Sequence, residues 1–322
     1  MRYLATAAAL LLSVTACGGD SGSDSGAAAG PTKIKIGVSP NVNVAGMQIG
    51  IDQGKFTARE LAVELDSHQS SSASVPLLLN NQWQMTTAGA ATVISAIAEG
   101  VDLKIVSSVS YNVVTDDGAS RATLVRANSG ITTFQQVKGK LGVNGLGSSL
   151  DIHTRATIDK AGGDSKQLTS VEIPQSNAVA ALRDGTVDAI TVTQPFAYRA
   201  SQDPSLRSLG DPAISALDSE QAPIIYTVVA GSFAEKNAEA LRQFVEALGE
   251  ASTVANDDPQ AARQAASKLT ELPVEQLAKI PLPGYGTEID RDVLQHEIDV
   301  LVQYGDLAKE KAPSVDDLLW KP

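Results

Sequence analysis

From residue 33 to residue 108 short apolar runs alternate with helical stretches, and from residue 121 the alternation begins again. No other feature restricts the fold so tightly. Repeated strand–helix–strand units build a parallel sheet covered by helices on both faces. Strands are predicted at 33–38 (KIKIGV), 61–65, 83–87 and 103–108, with helices at 44–54, 73–80 and 89–100. The second series places strands at 121–126, 140–143, 169–173 and 187–191. Its helices fall at 133–138, 150–161 and 176–184, and another starts at Gln194-Pro195. A strand at 223–229 (PIIYTVV) reads as a return to the first domain. Beyond it only helices are expected, at 237–255, 259–269, 274–279 and 289–304.

The two series echo one another. Residues 75–88 and 179–192 both read helix, polar turn, strand. Two similar α/β lobes would set these strands across a cleft. Ligands of open α/β sheets sit beyond the carboxyl ends of the strands, so the loops after strands are where function is expected.

The start of the chain addresses the compartment. Arg2 precedes a run at 4–14 that is apolar or small apart from Thr6 and Ser13. A bilayer span needs ~20 apolar residues, so this run reads as the apolar part of a secretion signal. It ends at Val14-Thr15-Ala16-Cys17-Gly18, which resembles a bacterial lipobox. Residues 1–16 are then a cleaved signal peptide and Cys17 the lipidated N-terminus. Cys17 is the chain's single cysteine, so lipidation would leave no thiol behind. Two acyl chains suffice for stable anchoring to the membrane surface. Residues 17–32 are mostly Gly, Ser, Ala and Asp, too polar and small to build a core. As a tether they reach on the order of 20 Å.

A formal net charge of -12 without Lys/Arg clusters argues against nucleic acid. It leaves an anionic ligand open, because a site's potential is local.

Four stretches carry a resemblance to a known family: Ile36-Gly37-Val38-Ser39-Pro40 with its helix; 77–98 through Thr87-Ala88-Gly89-Ala90-Ala91; 140–149 (KLGVNGLGSS) with its helix; and 180–190 with Gln194-Pro195-Phe196. Their order and spacing are similar to the type 2 periplasmic-binding-protein family, in the branch of aliphatic-sulfonate, taurine, nitrate and thiamine-pyrimidine binding proteins. The resemblance implies a two-lobed α/β fold with a ligand cleft between the lobes. Lobe 1 would comprise 33–113 and, after a return, 220–322 with the C-terminal helices; lobe 2 would be 114–219. It further implies an extracytoplasmic monomer that serves an ABC permease and its ATPase, binds a small molecule and needs no cofactor.

The candidate ligand residues sit in loops. In Gly145-Leu146-Gly147-Ser148-Ser149, glycines let backbone approach a ligand, and a helix follows whose free N–H groups and dipole favour an anion. Gly147, Ser148 and Ser149 are the candidates there. Ser39 and Asn41 follow the first strand, where they also suit a turn; the family pattern puts ligand at this loop. Ser70 and Ser71 follow the second strand and also suit a helix cap. Ala88, Gly89 and Ala90 follow the third strand, and their small size leaves room against helix N–H groups. Tyr111 follows the fourth, placed to stack on a flat ligand or to cover the core. Gln194 stands where similar proteins often carry Glu or Asp, and a neutral amide suits an anionic or neutral ligand. Trp83 reads as packing. Arg121 and Arg155 are the nearest cations to these loops; either could meet an anion, with solvated surface the favoured reading.

Catalysis finds little support. His68, His153 and His296 show no metal-ligand spacing and read as surface or capping residues. There is no complete GxGxxG, no Walker A and no GxSxG. A thiamine-pyrimidine synthase of this fold uses a cysteine-rich segment, absent here. Three functions remain: a binding protein for import, a small residual case for an enzyme, and a sensory or adhesive lipoprotein. For the ligand, a sulfonate-, nitrate- or carboxylate-like organic anion is favoured. Pyrimidines, flavins and aromatic compounds stay open, flavins weakened by an aromatic content of 4%.

Overall fold

The computed structural model describes residues 30–67, 74–114, 119–305 and 307–322. Cys17, the tether before Gly30, Ser70, Ser71 and His68 lie outside them. The described chain forms one compact unit over Pro31–Pro322.

The first series gives β1 (Thr32–Val38), α1 (Ala45–Asp52), β2 (Leu61–Ser67), α2 (Ser74–Leu79), β3 (Met85–Ala88), α3 (Ala90–Ala98) and β4 (Leu103–Tyr111). The second gives β5 (Arg121–Arg126), β6 (Gly139–Val143), α4 (Ser149–Lys160), β7 (Leu168–Glu172), α5 (Gln175–Arg183), β8 (Ala189–Thr193), α6 (Phe196–Ser201), β9 (Leu206–Gly210) and α7 (Pro212–Leu217). The remainder is β10 (Pro223–Ala230), α8 (Gly231–Lys236), α9 (Ala238–Asp257), α10 (Pro259–Thr270), α11 (Val274–Leu277), β11 (Gly284–Tyr285), α12 (Arg291–Tyr304) and α13 (Val315–Leu318).

Two sheets result, ordered β11-β4-β10-β3-β1-β2 and β7-β6-β8-β5-β9. Both are mixed rather than purely parallel. β1 runs parallel to β2 and β3, but β10 enters antiparallel between β3 and β4. In the second sheet β6 is parallel to β7 and β8, while β5 is antiparallel to β8 and β9. Beyond β10 the chain is not wholly helical, because Gly284–Tyr285 pairs with the end of β4. The turn expected as a helix at 133–138 is a single 3-10 turn, Phe134–Gln136, closed by a capping box from Thr133.

Burial follows the strand period. Ile34, Ile36 and Val38 of β1 are fully buried beneath α1 and α9. Gly37 faces Trp83, whose ring fills the space of a side chain there: a Cβ would lie 2.2 Å from it. Trp83 also donates its indole N–H to Asp66 at 2.9 Å, so it is a packing residue. The long α9 buries Leu241, Phe244, Leu248 and Ala251 on one face, and Phe244 stacks on Phe56 at 5.2 Å. Each such leucine or phenylalanine side chain contributes about 1.5–3 kcal/mol by leaving water.

The sheets share part of one core. Ile152 and Ala156 of α4, with Ala213, Ala216 and Leu217 of α7, pack in the same cluster as Ile94 of α3 and Leu294, Ile298 and Leu301 of α12. Helices that follow second-sheet strands therefore lean on helices of the first.

Candidate functional site

The carboxyl ends of β1, β3, β6 and β8 converge on a cavity. It holds roughly 630 Å³ of empty space counted out to its mouth, open solvent included. Each wall comes from a loop whose local chemistry is legible.

After β1, Asn41 caps a 3-10 turn by accepting a hydrogen bond from the Asn43 backbone N–H at 2.9 Å. The turn runs directly into α1. It carries the Asn43 side chain to the cavity, buried, with neither its Oδ1 nor its Nδ2 partnered. Buried polar atoms are nearly always hydrogen-bonded, and this amide at the cavity wall is an exception.

After β3, Gly89 is the N-cap of α3 and has no side chain to cap with. A Cβ on Gly89 would sit 2.7 Å from Ser149 Oγ, so close approach from α4 requires glycine there. Ser149 Oγ accepts the Ala91 backbone N–H at 3.3 Å, tying α4 to α3 across the cleft. After β6, Ser148 is the N-cap of α4, yet its hydroxyl makes no capping bond. It reaches instead towards Asn144 Oδ1 at 3.4 Å, a weak contact that leaves it available. The N-termini of α3 and α4 thus both border one cavity, and both dipoles favour negative charge there.

Gln175, at the start of α5, accepts from Thr193 N–H and Oγ at 2.7 and 3.0 Å, which fixes the β8 end of the cavity. Leu150, Ile224 and Ile225 supply an apolar wall. No acidic residue is among the described residues lining the cavity.

Arg121 is the residue that sequence reasoning misplaced. It was expected at the solvated surface, but it is 2% exposed and lines the cavity. Its Nε lies 3.3 Å from both carboxylate oxygens of Asp211, and its Nη2 has no partner. Asp211 is 90 positions along the chain, so local sequence could not have announced the pair. The one available signal was position: Arg121 opens the strand that follows the crossing between sheets. Arg155 lies away from the cavity, bonded to Asp151 and Ser170.

Of the sequence candidates, Ser39, Asn41, Ala88, Gly89, Ser148 and Ser149 come together at the cavity. Ala90 is buried in the first turn of α3 and does not line it. Gly147 lies on an outer groove, with φ of 66° and its N–H on Asp151. Tyr111 belongs to β4 itself rather than to the loop after it. Its ring lies over Gly284, where a Cβ would come within 2.1 Å, so it covers β11. Gln194 is buried, donating to Ala119 O and accepting from Tyr198 N–H, so its amide is occupied in holding the chain. His153, expected at the surface or as a cap, is buried and meets Glu297 at 2.8 Å.

A family model of the NMT1-like family matches residues 27–270. The chain belongs to the NMT1-like family. No curated protein matches the sequence of this NMT1-like chain. Solved structures do share its fold. The periplasmic aliphatic sulphonate binding protein SsuA from Escherichia coli is 20% identical, with TM-score 0.70, covering 90% of this chain and 98% of that one. The alkanesulfonate-binding protein SsuA from Xanthomonas axonopodis pv. citri, bound to MOPS, is 19% identical, with TM-score 0.72 and coverage of 90% and 99%. The periplasmic nitrate-binding protein NrtA from Synechocystis PCC 6803 is 12% identical, with TM-score 0.70 and coverage of 90% and 86%. The NMT1-like chain therefore has the two-lobed periplasmic-binding-protein fold, and its cavity lies between the two sheets' strand ends.

Proposed function

We propose that the protein is an extracytoplasmic solute-binding lipoprotein of an ABC importer that captures a small organic anion between its lobes. The observation that carries this is the pair of helix N-termini, α3 and α4, facing one cavity whose described lining holds no carboxylate. A sulfonate-, nitrate- or carboxylate-like group matches such donors. The solved structures of like fold support the same class, since two are sulfonate-binding proteins and one is a nitrate-binding protein.

In this account lobe 1 is 33–113 with 220–322, lobe 2 is 114–219, and ligand joins them on closure, a hinge motion. The protein works as a monomer, passes its ligand to a permease driven by a separate ATPase, and performs no catalysis. Residues 1–16 are removed and a lipid on Cys17 holds the protein at the membrane. Replacing Cys17 with Ser tests the anchor: the variant should lack the mass of the acyl groups, and a wild-type lipid mass on it would refute lipidation.

Binding itself is tested by titrating the purified protein with short sulfonates, nitrate and carboxylates. Saturable heat with an anion supports the proposal, and binding of amines alone would sink it. A ligand with an amide edge, such as a pyrimidine, is the second reading. Asn43 favours it, because an orphan donor and acceptor side by side pair well with such an edge.

A further inference from the structure

We infer that Tyr198 is a closure latch, a positioning residue that holds the cleft shut without touching the ligand. This rests on the proposed anion-binding cleft and its hinge motion.

The two faces of the second sheet are attached to the rest of the protein unequally. On one face, Val125, Leu141, Val143 and Ala189 pack with Leu150 and Ile158 of α4. α4 and α7 continue into the first sheet's core, where Ile152, Ala156 and Ala213 share a cluster with Ile94 and Leu294. On the opposite face, Leu124, Ile190 and Val192 pack with Ala178 and Leu182 of α5 and Ala197 and Ala200 of α6. From there α6 meets the first sheet's helices across a groove. Tyr198, Arg199 and Gln202 line one wall, and Leu272, Gln276 and Ile280 the other.

Tyr198 crosses that groove. It packs on the cluster that holds Val42, Ala45, Ile49, Ala262, Leu277 and Ile280. Every other described member of this cluster comes from residues 42–49 or 251–285. A packed core on one face and a single aromatic contact on the other make a pivot and a catch. Regions with few buried contacts open most readily. A hinge motion of the second sheet therefore parts α6 from α11 before it parts α4 from α12.

The catch is tied to the cavity at both ends. Thr193 lines the cavity at the end of β8, and Gln194 follows it. Gln194 accepts the Tyr198 N–H and donates to Ala119 O, each at 2.9 Å, so the start of α6 moves with the strand end. On the other side, Val42 of the receiving cluster stands between Asn41 and Asn43, both cavity residues. Tyr285 fixes Val42 by donating to its carbonyl at 2.9 Å. Tyr198 itself does not line the cavity. When it seats, the Thr193 wall and the Asn41–Asn43 wall are brought to their spacing. Without it the closed population falls, and apparent affinity falls in the same proportion.

The experiment uses the full-length chain with its single cysteine replaced, Cys17→Ser. Spin labels are placed by Ala180→Cys in α5 and Gln264→Cys in α10, both exposed and outside the cavity and the groove. Their separation is read by double electron–electron resonance with saturating propanesulfonate or butyrate, whichever binds more tightly. Surface plasmon resonance gives the rate constants for the same probe. With Tyr198 in place, one short distance is expected. Tyr198→Ala should add a longer one and lose roughly tenfold in affinity, within the usual span of conformational coupling. The loss should lie in faster dissociation, with association changed by less than about threefold. Tyr198→Phe keeps the ring and should match wild type. Should Tyr198→Ala fail to fold, Leu272→Ala on the far wall of the groove carries the test, with the same expected trend. Unchanged distance and dissociation rate in the variant overturn the inference and leave the anion cleft standing. A loss carried by association alone, or one that Tyr198→Phe does not rescue, overturns it too. Binding of neither anion by the wild type overturns the proposed function and the latch with it.

Discussion

His153 Nε2 lies 2.8 Å from Glu297 Oε2, with side chains 1% and 4% exposed. His153 belongs to α4, which follows a strand of the second sheet; Glu297 belongs to α12, which packs on the first. The pair joins α4 to α12, where Ile152 and Ala156 of α4 share a core with α3 and α12. The Ser149 bond to Ala91 joins α4 to α3 at the cavity wall.

Removing one member of this pair leaves the other buried without its hydrogen-bond partner, at a cost of about 1–3 kcal/mol. Glu297→Ala should therefore lower the thermal midpoint by several degrees. Glu297→Gln, which keeps a hydrogen-bonding side chain, should cost less. Midpoints of wild type and both variants decide this; a Glu297→Ala midpoint equal to wild type would show that the contact contributes nothing to stability.

Replacing Ser148 and Ser149 together with Ala should weaken anion binding about tenfold or more, because hydrogen bonds to charged groups contribute about 1.5–3 kcal/mol each. Stability should fall by only about 1–3 kcal/mol, since Ser148 makes no side-chain capping bond and the loss is the buried Ala91 N–H left without Ser149 Oγ. Titration and thermal unfolding on the same sample separate the two effects. Unaltered affinity would remove this loop from the site.

Gly89→Ala tests the approach of the helices. The added methyl carbon would lie 2.7 Å from Ser149 Oγ, so Ser149 must give way and its bond to Ala91 is lost. The fold should survive and ligand affinity should drop. An affinity equal to wild type would show that this contact does not shape the cleft.

Tyr226 and Tyr285 give the pH dependence. Burial holds both phenols above their usual range, and Glu297 and Asp290 push Tyr226 further. Tyr285 also donates to Val42 O at 2.9 Å. A phenol neutral in the fold but ionised when unfolded gives stability that is full below pH ~10 and lost as pH rises beyond it. Each tyrosine should cost about 1.4 kcal/mol per pH unit there. Denaturant midpoints at rising pH should decline less steeply for Tyr226→Phe or Tyr285→Phe. Parallel declines would contradict this.

Much of this architecture could be read from the chain because apolar alternation and loop chemistry are local. β1, α3, α4 and β8 lie within a few residues of their predicted places, and the loops after β1, β3 and β6 meet as serine, asparagine and glycine spacing suggested. What escaped was non-local or weakly patterned. β4 runs on through Ser107–Tyr111, where serines hide the strand period and Thr227 of β10 satisfies Ser107. β9 is mostly exposed and β11 has only two residues, so neither carries a hydrophobic signature. The insertion of β10 between β3 and β4 is a choice of partner more than a hundred residues away. Arg121 and His153 looked like surface residues because Asp211 and Glu297 are also remote in sequence, 90 and 144 positions away.

The most direct test is a thermal-shift series on the purified protein with propanesulfonate, nitrate, butyrate, uracil and propylammonium. A ligand at 100 times its dissociation constant adds roughly 2.7 kcal/mol of stability. A clear upward shift with a monoanion and none with propylammonium is the predicted result. A shift with propylammonium alone, or with no anion in the series, would contradict an anion-binding cleft.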